Sequence, residues 1–126
     1  WKEGDSVKLI YIAGPYTAET PEGIQENVEA AQQLGREVMS LFPGKVLAVV
    51  PHSMGKGLES QGDYAFWCEA TIEVMKRCDA VVLVPWWIKS QGAVKEVDVA
   101  IRMRLPVIVD SLQLASDLKN AFGGTL

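Results

Sequence analysis

The sequence predicts an α/β fold, namely a three-layer, doubly wound domain of the flavodoxin or Rossmann-like type with a parallel sheet of four or five strands. The first observation is a set of short apolar runs, rich in β-branched residues and without polar alternation, which is typical of strands covered on both faces. The second is a helical segment after each run, because strand–helix–strand units close with right-handed crossovers that put helices on both faces. The third is size, since 126 residues with 48% hydrophobic and 22% charged side chains suit a single domain over residues 1–126.

The strands are predicted directly from the apolar runs. In chain order the runs cover residues 9–13, 46–50, 80–84 and 106–109. Each run has the usual length of a strand and is apolar throughout. We therefore expect all of them to lie inside one sheet with both faces covered.

The first helix is predicted between the first two strands. Thr20 can cap its start and Pro21 fits the first helical position, while apolar residues recur at three- and four-residue steps over residues 24–41. Pro43 and Gly44 then end the helix.

The remaining helices follow from the same signals. A second helix covers about residues 63–78 and turns Thr71 inward on its apolar stripe. Ser90 caps a third helix, and a last one follows residues 110–111, so the order is β-α-β-α-β-α-β-α. Residues 54–62 hold three glycines and weak periodicity, and we expect the mobile loop of the domain there.

Composition excludes several classes of partner and location. A net charge of −4 argues against a nucleic-acid polymer as partner, and no apolar run approaches the roughly 20 residues that a membrane span needs. The cysteines, Cys68 and Cys78, are about 15 Å apart along one predicted helix, too far for a disulfide. Residues 1–4 lack the apolar core of a signal peptide, so we expect a cytoplasmic protein.

Three segments mark the predicted ligand site. In doubly wound sheets ligands bind outside the carboxyl ends of the strands, where strand order reverses. The segments that follow the first three strands there are Gly14-Pro15-Tyr16, Pro51-His52-Ser53 and Ser90-Gln91-Gly92. Gly14 permits a close backbone approach and Tyr16 offers a hydroxyl.

The Ser90-Gln91-Gly92 turn is the most informative of the three. At a helix start it offers free N–H groups, a hydroxyl and a positive dipole end, which suit a phosphate. The alternative is that Ser90 only caps its helix. Lys89 either assists a phosphate or is solvated.

Glu96 and His52 are the candidate reactive side chains. Glu96 lies nearly two turns beyond Ser90, and its side chain points back toward the helix start, although helix glutamates are usually solvated. His52 is the one histidine and follows a strand, where a plain polar loop residue is the alternative. The sequence has no metal-ligand cluster, no Cys–His pair, no G-x-G-x-x-G and no Walker loop, so no metal and no cofactor are expected.

A set of motifs gives the sequence a family resemblance. It is similar to the nucleoside 2-deoxyribosyltransferase-like superfamily over about residues 9–109, and above all to short bacterial and phage members with the pattern W-x-x-S-x-G-A-x-x-E. The residues that carry the resemblance are Tyr11-Ile12-Ala13-Gly14-Pro15, Asn27, Pro51-His52, Cys78-Asp79-Ala80-Val81-Val82-Leu83, Trp87 and Ser90-Gln91-Gly92-Ala93-Val94-Lys95-Glu96.

The resemblance implies cleavage of an N-glycosidic bond without a metal. By that resemblance Glu96 is the nucleophile that attacks the anomeric carbon, and Tyr11 stands beside it. Relatives that use free nucleosides carry aspartate at the position of Ser90, whereas a serine there is similar to branches acting on nucleoside 5′-monophosphates. His52 and the Ser90 turn are then expected near the phosphate or sugar.

Further roles also follow from the resemblance. Trp87 is expected to shape the pocket and Asn27 to position it. Thr71 stands where several catalytic relatives have an aspartate that orients or protonates the nucleoside, and a threonine hydroxyl cannot deliver that proton. Another group would have to replace it, and the candidates are Glu69, Asp63 and His52.

Two alternatives to a nucleotide N-glycosidase stay open. The first is a nucleotide-binding protein that senses or sequesters its ligand without catalysis. The second is a nucleoside 2-deoxyribosyltransferase, which Ser90 disfavours. The partner is in each case a small nucleotide or nucleoside, and the resemblance implies a homodimer or larger homo-oligomer whose neighbouring chain completes the pocket.

Overall fold

The protein is an α/β domain built on an all-parallel sheet, as the sequence predicts. The computed structural model describes residues 6–126, and residues 1–4, on which the signal-peptide prediction depends, lie outside them. The strands are β1 (Lys8–Ala13), β2 (Val46–Val49), β3 (Ala80–Leu83) and β4 (Val107–Val109). Their order within the described residues is β2-β1-β3-β4, so the strand order reverses between β1 and β3.

The helices match the predicted ones with one addition. They are α1 (Pro21–Leu41), α2 (Pro51–Met54), α3 (Tyr64–Lys76), α4 (Gln91–Arg102) and α5 (Leu114–Ala121), with single 3-10 turns at Glu59–Gln61 and Trp87–Lys89. The addition is α2, which places His52 in a helical turn directly after β2. Pro51 favours this turn because its ring holds the backbone near the helical angle at the first position.

Helix starts use the predicted caps. The Thr20 hydroxyl accepts a hydrogen bond from the N–H of Gly23 at 3.0 Å, and the Ser90 hydroxyl accepts one from Ala93 at 3.2 Å. Such caps each stabilise a helix by about 1 kcal/mol. The starts of α1 and α4 are therefore set by local sequence.

The side chains of β1 alternate between two cores, and this alternation produces three layers. Ile10 and Ile12 pack with α1 and α5 on one face of the sheet. Tyr11 and Ala13 pack with α3 and α4 on the other face. Tyr11 therefore points into the α3–α4 layer, where it is fully buried.

Gly14 has a packing role that the sequence did not reveal. A Cβ atom on Gly14 would lie 2.6 Å from Cγ2 of Val84, so only glycine lets β1 leave the sheet beside β3. The N–H of Val84 donates to the carbonyl of Ala13 at 3.1 Å at the same place. The switch point is thus closely packed beneath the predicted site.

Both cysteines are free thiols, as predicted. Cys68 is half-buried within α3, whereas Cys78 is buried just beyond the end of that helix. Thr71 is half-buried and turned inward, as predicted, whereas Tyr64, the first residue of α3, is 66% exposed. In residues 6–126 no helix is long and apolar enough to span a membrane.

Candidate functional site

A buried tyrosine–glutamate pair lies at the switch point. Tyr11 projects from β1 toward α4, and its phenol donates a hydrogen bond to Oε2 of Glu96, which is 85 residues away in sequence. The helical direction of side chains brings Glu96 back toward the start of α4, as expected. Both residues line a cleft of about 1020 Å³ at the carboxyl ends of the strands.

Burial controls the charge of this pair. It raises the pKa of Glu96 to about 7, against an opposing effect of the hydrogen bond from Tyr11, which favours the ionised carboxylate. Burial and the nearby charge of Glu96 together raise the pKa of Tyr11 above its ordinary value. Tyr11 therefore stays a protonated donor, while Glu96 exchanges a proton near neutral pH.

The three predicted segments meet in this one cleft. Most of the predicted site residues line it: Tyr11, Gly14, Pro15, Tyr16, His52, Thr71, Ser90, Gln91, Gly92 and Glu96. Asn27 and Trp87 do not line it. The agreement arises because parallel strands end at one edge of the sheet.

At the start of α4, Ser90 both caps the helix and faces the predicted ligand site. The Ser90 hydroxyl accepts from the N–H of Ala93 and so caps the helix, yet Ser90 also lines the cleft. A Cβ atom on Gly92 would meet only the Ser90 hydroxyl, at 3.8 Å, so open space lies in front of it. The first turn of α4 therefore faces the cleft with room for a ligand group.

His52 holds the loop that follows β1. Its Nε2–H donates to the carbonyls of Gly14 at 3.2 Å and Pro15 at 3.0 Å, since carbonyls only accept. Burial lowers the pKa of His52 and keeps the ring neutral, although the two carbonyl contacts act the other way. Among the described atoms its Nδ1 is buried without a hydrogen-bond partner. His52 therefore positions the cleft wall rather than holding a free proton toward a ligand.

Asn27 holds the same loop from the α1 side. Its Nδ2 donates to the carbonyls of Tyr16 at 3.1 Å and Thr17 at 3.3 Å. It lies behind the cleft wall, in keeping with a positioning role. Tyr16 also contacts His52, with ring centroids 6.1 Å apart.

The tryptophan at the cleft is Trp67 and not Trp87. Trp87 packs against the cores on both faces of the sheet from its 3-10 turn after β3. Trp67 of α3 lines the cleft, and its indole N–H donates to the carbonyl of Glu59 at 3.4 Å. Its ring also lies 3.4 Å from the Cβ position of Gly55, so it packs under the segment of residues 54–62. The spacing of Trp67 one turn before Thr71 was the sequence signal for this placement.

Charged side chains also line the cleft, and the sequence indicated only part of this set. The basic ones are Lys56, Lys89 and Lys95, and the acidic ones are Glu59 and Glu96. They come from three separate segments, so their grouping depends on tertiary packing. Positive charge beside a helix start favours an anionic group.

The residues predicted to replace an acid at the position of Thr71 either lie outside the cleft or form hydrogen bonds within the protein. Thr71 lines the cleft, and its own hydroxyl donates to backbone carbonyls of α3 at 2.9 and 3.2 Å. Asp63 caps α3 by accepting from the N–H of Phe66 at 2.8 Å, and Glu69 lines a separate hollow of about 450 Å³ beside α3 and α4. His52 uses its single N–H on two carbonyls.

The fold and site define a class: a doubly wound parallel domain with a buried tyrosine–glutamate pair at its switch point. Within residues 6–126 no group of three His, Cys, Asp or Glu side chains is arranged to hold a metal ion.

Residues 8–109 match a protein family described as a domain of unknown function, DUF4406. The match runs from the start of β1 to the end of β4 and includes every element around the cleft. The chain therefore belongs to this family. No curated protein matches the chain.

Proposed function

We propose that this protein is a metal-free N-glycosidase that cleaves a nucleoside 5′-monophosphate, or a related nucleotide, to a free base and a sugar phosphate. The observation that carries the proposal is the buried Tyr11–Glu96 pair in the wall of a large cleft at the switch point. A largely buried carboxylate with a pKa raised to about 7 lowers stability when it is ionised, and such groups cluster at functional sites.

In this proposal Glu96 acts as the nucleophile. Its carboxylate attacks the anomeric carbon, the bond to the base breaks, and a glycosyl ester forms. Water then attacks the same carbon and releases Glu96 as a carboxylate. Tyr11 donates to Glu96, which orients it and favours its ionised form.

The phosphate is proposed to bind at the start of α4. Gln91 and Gly92 stand in its first turn at the cleft, where backbone N–H groups and the helix dipole favour an anion. Lys56 and Lys89 line the same cleft and add positive charge. Ser90 can still donate its hydroxyl hydrogen while it accepts from Ala93.

A second candidate function is nucleotide binding without catalysis. One observation favours it: Thr71, Asp63, Glu69 and His52 present no free acidic proton to the Tyr11–Glu96 pair. Calorimetry that shows tight binding, followed by recovery of unchanged nucleotide after long incubation, would support sequestration. Exchange of a labelled base without net hydrolysis would instead support a deoxyribosyltransferase.

The test of the main proposal is release of free base from a panel of nucleoside 5′-monophosphates, followed by chromatography. We expect Glu96→Ala to lower kcat/KM by more than about 10³-fold, as for loss of a nucleophile. Asp98→Ala is the matched control, because Asp98 lies on the same helix in an exposed ion pair with Arg102 at 3.1 Å. Equal rates for the wild-type protein and Glu96→Ala would exclude Glu96 as nucleophile.

The pH dependence offers an independent check on the same residue. The nucleophile must be ionised and burial raises the pKa of Glu96 to about 7. We therefore expect kcat/KM to rise as pH increases through about 7 in the free enzyme.

The setting of this activity is also a proposal. We propose a cytoplasmic location on the basis of the free cysteines, and a homodimer or larger homo-oligomer on the basis of the family resemblance. The partner is a small nucleotide or nucleoside.

A further inference from the structure

Whether the departing base needs a proton depends on its charge. A neutral base departs from its sugar as an anion unless an acid protonates it during bond breaking. A base with a quaternised ring nitrogen departs as a neutral molecule and needs no proton. The availability of an acidic proton beside Glu96 therefore separates two classes of substrate.

Among residues 6–126, the proton-bearing groups that line the cleft are weak acids by side-chain type or use their protons within the protein. Tyr11 gives its hydrogen bond to Glu96, and burial raises its pKa. The Cys68 contact raises the pKa of Tyr64, which is also exposed. Hydrogen bonds to backbone N–H groups lower the pKa of Glu59 and keep it ionised. His52 donates its one N–H to two carbonyls.

The remaining groups of the cleft give the same result. The Thr71 hydroxyl donates to backbone carbonyls of its own helix, and a hydroxyl is in any case no acid at neutral pH. Lysine ammonium groups and cysteine thiols, which also line the cleft, are as side-chain types far weaker acids than a carboxylic acid. Glu96 cannot both attack as a carboxylate and supply a proton in the same step.

The aromatic lining is an independent observation. Trp67, Tyr16 and Tyr64 all line the cleft, and the faces of such rings attract a flat cation. The indole N–H of Trp67 donates to the backbone carbonyl of Glu59, and Glu59, whose pKa is lowered by hydrogen bonds to backbone N–H groups, lines the same cleft. An aromatic wall in a cleft that also holds an ionised carboxylate suits a positively charged base.

We propose that the substrate is a 5′-monophosphate N-glycoside whose base carries a quaternised, positively charged ring nitrogen, such as a pyridinium or a 7-alkylpurine. This inference rests on the proposed function. Glu96 bonds to the anomeric carbon as the carbon–nitrogen bond breaks, and the electron pair of that bond stays on the base and neutralises the charge of its ring. Water then takes the place of Glu96 on the carbon, so the products are neutral base, sugar phosphate and one proton released to solvent.

The experiment compares two substrates that differ by one methyl group and one charge. Release of base from 7-methylguanosine 5′-monophosphate and from guanosine 5′-monophosphate is measured, and nicotinamide mononucleotide and uridine 5′-monophosphate serve as a second pair. Rates without enzyme are subtracted from all values. We expect kcat/KM for the cationic member of each pair to be higher by about 10²-fold or more, the usual contribution of general acid catalysis.

The variant Thr71→Asp controls for the different intrinsic reactivities of the substrates. The same pair of substrates is measured on the variant and on the wild-type protein, and the variant differs only by a carboxyl group at the residue beside Tyr11. We expect this variant to gain activity on the neutral-base member of each pair, so that the ratio falls by at least about tenfold. Thr71→Asn has a similar shape without an acidic proton and should show no such gain.

The outcomes separate this inference from the proposed function. Equal or faster release from the neutral-base nucleotides by the wild-type protein would overturn the inference and leave the N-glycosidase proposal intact. Calorimetric binding of all four nucleotides with no base release from any would instead overturn the N-glycosidase proposal, and with it the cationic-base inference.

Discussion

The Glu96 carboxylate carries an electrostatic cost at the cleft. Its carboxyl is mostly buried between α4 and the sheet, and burial raises its pKa from the ordinary value of 4.5 to about 7. The hydrogen bond from Tyr11 offsets part of this cost but does not remove it. A buried carboxylate of this kind lowers stability when it is ionised, and such groups are frequent at functional sites.

A stability measurement tests this cost without any assay of activity. The folded state favours protonated Glu96, so its contribution to stability is present below about pH 4.5 and is lost as pH rises through about 7. We expect Glu96→Gln, which cannot ionise, to be more stable than the wild-type protein by about 2 to 3 kcal/mol at pH 8, with little difference at pH 4.5. Urea unfolding at a series of pH values measures the difference.

The control is Asp98→Asn, which alters an exposed carboxylate on the same helix. It should give a difference in unfolding free energy that stays within about 0.5 kcal/mol at every pH. A pH-independent difference for Glu96→Gln would contradict the raised pKa of Glu96.

His52 and Asn27 show how single residues shape the cleft without projecting a reactive group into it. Both bond to backbone carbonyls of the loop after β1, one from α2 and one from α1. The loop is therefore tied from two helices. Loops that are fixed in this way hold a site ready for its ligand.

At the level of elements, the junction between β1 and β3 and the start of α4 use glycine for different reasons. Gly14 has no room for a Cβ atom, because Val84 is packed against it. Gly92 has open cleft space in front of it. One glycine therefore serves packing and the other serves the cleft.

This contrast predicts different outcomes for two alanine substitutions. We expect Gly14→Ala to lower the free energy of unfolding by about 1 to 3 kcal/mol, as for overpacking of a core. We expect Gly92→Ala to keep stability within about 1 kcal/mol of the wild-type value, since alanine suits a helix better than glycine. Its nucleotide affinity should fall by about tenfold, because a methyl group then occupies the proposed anion position. This fall corresponds to about 1.4 kcal/mol.

Urea unfolding and calorimetry with a nucleoside 5′-monophosphate measure the two quantities. The double variant Gly14→Ala with Val84→Ala checks the packing argument. If the two side chains clash, the change in free energy of unfolding for the double variant should differ from the sum of the two single changes. Unchanged nucleotide affinity in Gly92→Ala would mean that the anion does not bind at the first turn of α4.

For the whole molecule, the α3–α4 layer carries exposed apolar side chains. Ile101 of α4 is 61% exposed and Phe66 of α3 is 50% exposed. Phe66 also lines the hollow beside α3 and α4, next to Val99. Apolar side chains that gather on one layer are typical of contact surfaces between protein chains.

The oligomer prediction is tested on this layer. We expect the protein to sediment as a dimer or larger species, and Phe66→Ser with Ile101→Ser to shift it toward the monomer. Leu112→Ser is the control, because Leu112 is fully exposed on the connection between β4 and α5. Sedimentation of the wild-type protein as a monomer over the whole concentration range would contradict the prediction.

Much of the fold was predictable because its signals are local. Apolar runs located the four strands of the sheet to within about one residue. Thr20 and Ser90 marked helix starts, because each caps its helix with a hydrogen bond to a residue three positions later in the sequence. The edge of the sheet that carries the cleft also followed, since the carboxyl ends of parallel strands lie together. The short helix α2 was missed because one turn is too brief to show periodicity.

The site was predictable only in part, because its chemistry depends on distances through space. The sequence placed Trp87 in the pocket, but the packing of the 3-10 turn after β3 directs that ring into the cores and leaves Trp67 at the cleft. Glu69 and Asp63 were reasonable acids by sequence, yet α3 turns one toward another hollow and uses the other as its cap. Helix orientation decided each case.

The sequence by itself determined the parallel α/β domain and the segments that follow the carboxyl ends of its strands, because strand and helix patterns need only neighbours in the chain. The tertiary structure alone decided that Tyr11 meets Glu96 across 85 residues, and that burial raises the pKa of Glu96 to about 7. It also decided that His52 and Thr71 donate their hydrogen bonds to backbone carbonyls of the protein. Contact, burial and charge arise from the packing of α3 and α4 on the sheet, and no local pattern contains them.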